Sequence, residues 1–236
     1  MTGNAGSGDH VVTVVIDVIR AFTTLPVLAT RGVRDIVCVR NAAEARARRP
    51  QHQTSRPLHV GEHRDPPFPA VDLPNSPSAA ATADVDGRDV VFFSANGTNA
   101  LAEVPPGRAL LAASLVNVGA TAAWIVAHHP SVPVRIIVSE PGAVEDLACA
   151  DHLTDLLHGK SPARDAARRA VLAGAEGHYR RWGHRLPSAF WQAFMADVRI
   201  CAEPDSHPIP LVCERDSDGW LTVRHDARPV PTWRPA

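Results

Sequence analysis

Hydrophobic residues fall into short runs rich in β-branched side chains, and three of these runs share one plan of strand, polar loop and helix. The three units cover residues 11–31, 89–103 and 134–157. Strands that are joined by a helix are typical of parallel pairing with crossover connections. The pattern therefore predicts a parallel core sheet with helices packed on it.

The same patterns predict the remaining elements. Further strands are expected at 34–39, 58–62 and 109–113, with helices near 41–49 and 116–128. Residues 63–88 contain five prolines and predict an ordered but irregular excursion. After Gly159 the pattern changes, with helices near 162–174 and 187–195 and short strands at 197–202, 209–215 and 220–224.

These elements predict an α/β fold, layered α/β/α around a mostly parallel sheet, with a helical arm and a β-rich C-terminal tail. We expect a single domain over 1–236, with candidate lobes at about 9–159 and 160–228. The terminal segments 1–8 and 229–236 lack a regular pattern, and we expect them to be flexible.

Charge and composition exclude several classes of function. The formal net charge is −1, which gives no electrostatic basis for nucleic-acid binding. No apolar run approaches the roughly 20 residues that span a bilayer, and the first residues do not resemble a signal peptide. Four widely spaced cysteines suggest neither a disulfide framework nor a zinc site. We expect a cytoplasmic protein.

The end of the first strand carries the most informative group of polar residues. Asp17 ends the apolar run, and Arg20, Thr23 and Thr24 follow where a helix should begin. Strand ends and helix N-termini of α/β sheets are common ligand sites, so a carboxylate for a cation lies beside donors for an anion. The alternative interpretation is a helix-capping aspartate followed by a solvated first turn.

Other predicted strand ends carry similar groups, and each also has an ordinary structural explanation. Hard oxygen ligands of the kind that Mg²⁺ prefers are available from Asp17, Glu62, Glu145 and Asp146. Anion donors are available from Asn96, Gly97, Thr98, Ser114 and Asn117. The ordinary explanations are an Asn-Gly turn, side-chain caps and acidic residues at a helix start. Together the groups predict a metal-assisted phosphate site, with all of them at strand ends on one side of a sheet.

Four other classes of protein fit poorly. A haloacid-dehalogenase phosphatase needs a second aspartate two residues after the first, and Ile19 occupies that position. Neither the P-loop nor the dinucleotide-binding glycine pattern is present. His59-Val-Gly-Glu62-His63 matches H-x-x-E-H, but prolines bracket it and it reads as extended, whereas a zinc peptidase needs it on a helix.

A set of short motifs follows in order along almost the whole chain. The motifs are Ile16-Asp17-Val-Ile-Arg20-Ala-Phe-Thr23-Thr24, Gly61-Glu62, Asn75-Ser76-Pro77, Asn96-Gly97-Thr98-Asn99-Ala100-Leu101, Ser114-Leu-Val-Asn117, Glu145-Asp146 and Asp197-Val-Arg-Ile-Cys201-Ala-Glu-Pro-Asp205. Together they resemble the 2-phosphosulfolactate phosphatase family. The resemblance implies a Mg²⁺-dependent acid phosphatase, a phosphoric monoester hydrolase that acts on 2-phospho-3-sulfolactate or related phosphorylated hydroxy acids on the way to coenzyme M.

On this resemblance we expect Asp17 and Arg20 to be catalytic, with Asp17 either a metal ligand or the nucleophile. The expected substrate-binding residues are Thr23, Thr24, Asn96, Gly97, Thr98, Ser114 and Asn117, and the expected metal ligands are Asp17, Glu62, Glu145 and Asp146. The expected partner is a small anionic phosphoester, not nucleic acid or a membrane, and a homodimer is a candidate assembly.

Three positions depart from the family pattern. Phe22 stands where a small or hydroxylated residue is usual, Asn99 where arginine is usual, and Glu140 where glycine is usual. An anion pocket that loses an arginine and gains a carboxylate should bind a dianion less tightly. Two alternatives therefore stay open: a relative that binds a small anion without catalysis, and a different metal-dependent enzyme that acts on a small carboxylate with Glu140 as base.

Overall fold

The structure is a computed structural model, and it describes residues 10–47, 56–62 and 71–225. The strands are β1 (Val12–Ile16), β2 (Asp35–Cys38), β3 (Leu58–Gly61), β4 (Leu73–Pro74), β5 (Asp89–Phe93), β6 (Ala109–Ala113), β7 (Val134–Val138), β8 (Leu211–Arg215) and β9 (Leu221–His225). The α-helices are α1 (Ala21–Thr30), α2 (Ala42–Ala47), α3 (Pro77–Thr82), α4 (Gly97–Glu103), α5 (Val118–His128), α6 (Val144–Leu157), α7 (Arg164–Trp182) and α8 (Ser188–Cys201).

The described strands form one nine-stranded sheet in the order β4-β3-β5-β2-β9-β8-β6-β1-β7. The α/β class is thus confirmed. The sheet is mixed, however, because the C-terminal hairpin β8–β9 lies between β2 and β6 and pairs antiparallel with both. The strands that we expected in a separate β-rich tail are therefore part of the central sheet.

Insertion of the hairpin reverses the direction of one half of the sheet relative to the other. Strands β6, β1 and β7 are parallel to one another, and so are β2, β5, β3 and β4, but the antiparallel steps between them make the two sets run in opposite senses. Sheets twist by about 20–25° per strand, which sums to roughly 100–125° over the five steps from β5 to β1. A twist of this size can bring the carboxyl ends of β1 and β5 near each other, although they do not share one flat edge.

Strand β1 lies in the interior, and its side chains alternate between two hydrophobic clusters. Val12, Val14 and Ile16 pack with residues of α5, α6, α7 and α8, whereas Val15 packs with residues of α1, β2 and β5. This alternation is the period of two expected of a strand that is buried on both faces. The rigid end of β1 is where Asp17 begins the next loop.

Two predicted elements near the C-terminus need correction. Residues 197–202 are not a strand, because α8 continues to Cys201, and its buried residues follow the helical spacing of Trp191, Phe194, Val198 and Cys201. The arm helix α7 extends to Trp182, well beyond the predicted end at 174.

The proline-rich excursion is more regular than we expected. Residues 71–88 contain β4 and α3, and the hydroxyl of Ser76 caps α3 by accepting a hydrogen bond from Ala79. Residues 63–70, which include His63 and Pro66, lie outside the described residues. Leu58–Gly61 is a strand, as the extended reading of the H-x-x-E-H segment required. Within the described residues, no helix is long and apolar enough to cross a membrane.

Candidate active site

Asp17 is the first residue after β1, and its buried carboxylate touches three other loops. Its Oδ1 accepts a hydrogen bond of 3.1 Å from the backbone N–H of Ala21 in the first turn of α1. The pKa of Asp17 is raised from 3.8 to about 6, because burial and, less strongly, the charge of Glu62 outweigh the hydrogen bonds from Ala21, Ser139 and Gly97 that lower it. The carboxylate thus serves α1, as the capping interpretation proposed, and also faces other acidic and polar groups.

Asp146 approaches the same strand end from the start of α6. Its Oδ1 accepts a hydrogen bond of 2.8 Å from the backbone N–H of Val18, and its Oδ2 accepts one of 3.3 Å from the hydroxyl of Ser139. Burial raises the pKa of Asp146 from 3.8 to about 8, and the charge of Asp17 contributes in the same direction. Asp17 and Asp146 therefore form a pair of buried carboxylates with too little positive charge around them.

Glu62 follows β3 and joins the site through a chain of hydrogen bonds. Its carboxylate accepts hydrogen bonds of 3.1 Å from the backbone N–H of Ala95 and 3.4 Å from the amide of Asn75. The amide oxygen of Asn75 in turn accepts a bond of 2.9 Å from the hydroxyl of Thr24. This chain connects β3, the loop before α3 and the first turn of α1.

Arg20 lies three residues after Asp17, and its guanidinium contacts α8. Its Nη1 donates a hydrogen bond of 2.9 Å to Oδ2 of Asp197, and its Cζ lies 5.6 Å from the centre of the Phe194 ring. The side chain is 20% exposed, and among the described residues the guanidinium donates a hydrogen bond through Nη1 alone. An arginine at this position offers forked donors that suit phosphoryl oxygens.

The turn between β5 and α4 packs directly on Asp17. The hydroxyls and N–H groups of Ser94 and Thr98 cap each other with reciprocal hydrogen bonds of 3.0 Å. A Cβ atom on Gly97 would lie 2.6 Å from Oδ2 of Asp17, so only glycine fits here without a shift of its neighbours. Asn96 is exposed, and its amide donates to Glu140 across a distance of 3.2 Å.

Some of the predicted site residues form hydrogen bonds with protein groups other than Asp17 and Asp146. Glu145 is paired with His178 of α7, with 3.3 Å between the carboxylate oxygen and the ring nitrogen. Asn117 bridges the backbone N–H of Ser114 and the carbonyl of Ile209. The hydroxyl of Thr23 donates to the carbonyl of Val18. These residues fix the loops around Asp17, and Asp146 rather than Glu145 lies beside it.

Sequence reasoning assigned no role to three residues that shape this site. Asp197 lies in a segment whose pattern predicts a strand, Asn75 lies in the proline-rich excursion, and Ser139 directly follows β7, next to Glu140. Asp197 and Asn75 did occur in motifs that carry the family resemblance, which was the one signal available for them.

The donor set fits Mg²⁺ with only a few protein ligands. Within residues 10–47, 56–62 and 71–225, no group of three or more His, Cys, Asp or Glu side chains is arranged to hold a metal ion. Mg²⁺ commonly keeps several waters and binds proteins through one or two carboxylates together with substrate phosphate. Asp17 and Asp146 match that requirement, because a cation would offset the repulsion that raises the pKa of Asp146.

Comparison with known proteins gives consistent matches over most of the chain. A family model described as 2-phosphosulpholactate phosphatase matches residues 3–212. A probable 2-phosphosulfolactate phosphatase of Synechocystis is 30% identical over 223 residues, which cover 89% of this chain and 91% of that protein. A Bacillus subtilis protein of the same name is 29% identical over 228 residues and covers 94% of this chain and 90% of its own length. A Thermoplasma acidophilum relative is 38% identical over 117 residues, about half of each chain.

Proposed function

The chain belongs to the 2-phosphosulfolactate phosphatase family, and we propose that it is a Mg²⁺-dependent phosphatase. The proposed substrate is 2-phospho-3-sulfolactate or a related small phosphorylated hydroxy acid, whose phosphate monoester is hydrolysed. The phosphatase activity is supported by the names of relatives at about 30% identity. The substrate is proposed from the family alone, and the metal is supported by the carboxylates around Asp17.

The observation that carries the proposal is that Asp146, in the first turn of α6, lies beside Asp17, whose loop after β1 also presents Arg20. Burial raises the pKa of both carboxylates, and the charge of Asp17 contributes to the raised pKa of Asp146, so a cation beside them would offset an unfavourable concentration of negative charge. Arg20 lies three residues after Asp17, its side chain is 20% exposed, and among the described residues it donates a hydrogen bond through Nη1 alone. A cation site beside a partly exposed arginine is the arrangement that a phosphate monoester requires, because its phosphoryl oxygens carry negative charge.

The residues of the chain then have distinct roles. Arg20 binds phosphoryl oxygens and orients the substrate. Asp146 accepts a hydrogen bond from the backbone N–H of Val18 and thereby fixes the backbone next to Asp17. Asp17 is either a ligand or the nucleophile, so that water attacks either the phosphorus directly or a covalent intermediate. Mg²⁺, when bound, supplies positive charge that stabilises negative charge on the phosphoryl group.

A second candidate function is supported by the surroundings of Asn99 and Glu140. The amide of Asn99 in α4 donates a hydrogen bond of 2.7 Å to the carbonyl of Ala95 in the turn before this helix. The carboxylate of Glu140 lies at the rim of the site, where it contacts Asn96 and Arg181. A site with an amide at position 99 and a carboxylate at position 140 supports a second function, in which the protein binds a small anionic ligand but does not hydrolyse it.

Phosphate release from a panel of phosphorylated hydroxy acids, including 2-phospho-3-sulfolactate, tests the proposal. We expect turnover with Mg²⁺, loss of turnover in excess EDTA, and recovery when Mg²⁺ is added back. Full activity in excess EDTA would contradict the metal assignment. No turnover of any substrate, together with calorimetric binding of sulfolactate, would favour the anion-binding alternative.

A further inference from the structure

We propose that Asp197 is a positioning residue which, together with Phe194, fixes the direction of the Arg20 guanidinium. The inference rests on the proposed function, in which Arg20 binds phosphoryl oxygens. Both residues lie on α8, three positions apart, and therefore on one face of that helix. Helix α8 would thus set the geometry of a group in the loop after β1.

The carboxylate of Asp197 is anchored independently of Arg20. Its side chain is only 1% exposed. Oδ1 accepts three hydrogen bonds, from the hydroxyl of Ser76 at 2.6 Å, the hydroxyl of Ser78 at 2.6 Å and the N–H of Ser78 at 3.0 Å. These donors come from the start of α3, so three donors hold one oxygen and leave Oδ2 for the arginine. A carboxylate held in this way cannot follow a moving guanidinium.

The contact with Arg20 is one-sided. Within the part of the chain that the structure describes, Asp197 is the hydrogen-bond partner of the guanidinium, and it takes Nη1 alone. The ring of Phe194 lies against the guanidinium carbon at 5.6 Å. One end and one face of the planar group are therefore fixed, and the remaining N–H groups keep a defined direction toward a ligand.

Position and charge have opposite consequences here, which makes the inference testable. Asp197 carries a negative charge next to Arg20, so by charge alone its removal should strengthen the binding of an anion. If Asp197 instead holds Arg20 in place, its removal should weaken anion binding, because the arginine must then be ordered by the ligand. A group misplaced by about 1 Å can reduce a reaction rate by about 100-fold.

The test uses Asp197→Asn, Arg20→Ala and the double variant in the full-length protein. Calorimetry measures the Kd for inorganic phosphate in all four proteins, and steady-state kinetics with Mg²⁺ gives kcat and KM for the wild type and Asp197→Asn. We expect Asp197→Asn to lower kcat by about 100-fold and to weaken phosphate binding by about 10-fold when Arg20 is present. In the Arg20→Ala background, the same substitution should leave phosphate binding unchanged or slightly stronger.

A matched control is available at a second aspartate–arginine pair, in which buried Asp89 at the start of β5 contacts the partly exposed Arg34. Asp89→Asn should change neither kcat nor the Kd for phosphate by more than about two-fold. If Asp197→Asn fails to fold, as judged by circular dichroism, Phe194→Leu carries the test, because it removes the ring and keeps Asp197. That variant should weaken phosphate binding several-fold with Arg20 present and have no effect with Arg20→Ala.

Two results would overturn the inference while the proposed function stands: tighter phosphate binding by Asp197→Asn, or equal effects with and without Arg20. A wild-type protein that releases no phosphate from any phosphoester and binds no inorganic phosphate would instead overturn the proposed function, and the role given to Arg20 would fall with it.

Discussion

The carboxylate of Asp146 lies beside that of Asp17, where the backbone N–H of Val18 holds it at 2.8 Å. Both groups are almost fully buried. Burial and the charge of Asp17 raise the pKa of Asp146 to about 8, while burial raises that of Asp17 to about 6. Two adjacent buried carboxylates are stabilised either by a proton or by a cation.

The metal-free protein should become less stable as the pH rises. Both pKa values lie above the usual 3.8, so the folded state binds these protons more tightly than the unfolded chain does. The stability that proton binding to these two groups contributes is fully present below about pH 4. The part from Asp17 is lost as the pH rises through about 6, and the part from Asp146 as it rises through about 8. Urea unfolding in EDTA should show a free energy of unfolding about 5 kcal/mol lower at pH 8.5 than at pH 5 from these groups.

Asp146→Asn isolates this effect, because the amide cannot ionise. The variant should lose distinctly less stability than the wild type between pH 5 and pH 8.5, whereas Asp89→Asn should follow the wild type. If the free energy of unfolding fell equally with pH in the wild type and in Asp146→Asn, the raised pKa of Asp146 would be contradicted.

Gly97→Ala should disturb the site directly. The added methyl group would lie 2.6 Å from Oδ2 of Asp17 and 2.9 Å from the ring of Phe22, both of which are buried. Because neither neighbour can move freely, we expect a loss of about 1–3 kcal/mol in stability and a fall in kcat. Thermal unfolding and phosphatase assays measure the two effects.

Gly177 in α7 is the matched control, since a Cβ atom there would meet nothing within 4 Å. Gly177→Ala should raise the free energy of unfolding by about 0.5–1 kcal/mol through helix propensity and leave kcat unchanged. Equal losses at both glycines would show that crowding at Asp17 is not the cause.

Asn99→Arg tests the departure from the family pattern in α4. The arginine would add a charge-assisted contact if position 99 faces the substrate. We expect kcat/KM for sulfonated or doubly anionic phosphoesters to rise roughly 10- to 100-fold, which corresponds to about 1.5–3 kcal/mol of added transition-state stabilisation. The kcat/KM for simple monoesters should rise less. Asn99→Ala, which removes the amide without adding charge, is the control. An equal gain or no gain on both substrate classes would place residue 99 outside the pocket.

The local parts of the fold could be predicted from the sequence because their signals are local. The β-branched run before Asp17 and the apolar run before Ser94 fold into β1 and β5, each followed by the expected helix. The insertion of β8–β9 between β2 and β6 could not be predicted, since strand order depends on pairings between distant segments. The mixed sheet and the opposed directions of its halves follow from that one insertion.

The same distinction applies to the site. Asp17 and Arg20 were visible as polar residues at the end of a strand, but the partner of Arg20 was hidden, because Asp197 lies in what reads as an alternating strand. Only the helical spacing of Trp191, Phe194 and Val198 shows that this segment is part of α8. Likewise, adjacent Glu145 and Asp146 could not be told apart until the direction of α6 relative to β1 was known.

The central claim is that phosphate-ester hydrolysis requires the carboxylate of Asp17. The kcat of Asp17→Asn with saturating Mg²⁺ tests it most directly. Asparagine keeps the size of the side chain and can still accept the hydrogen bond from Ala21, so the fold should be retained. We expect kcat to fall by roughly 100- to 1000-fold or more while thermal unfolding stays near that of the wild type. A well-folded Asp17→Asn protein with wild-type kcat would contradict the account and leave Asp17 as a helix cap alone.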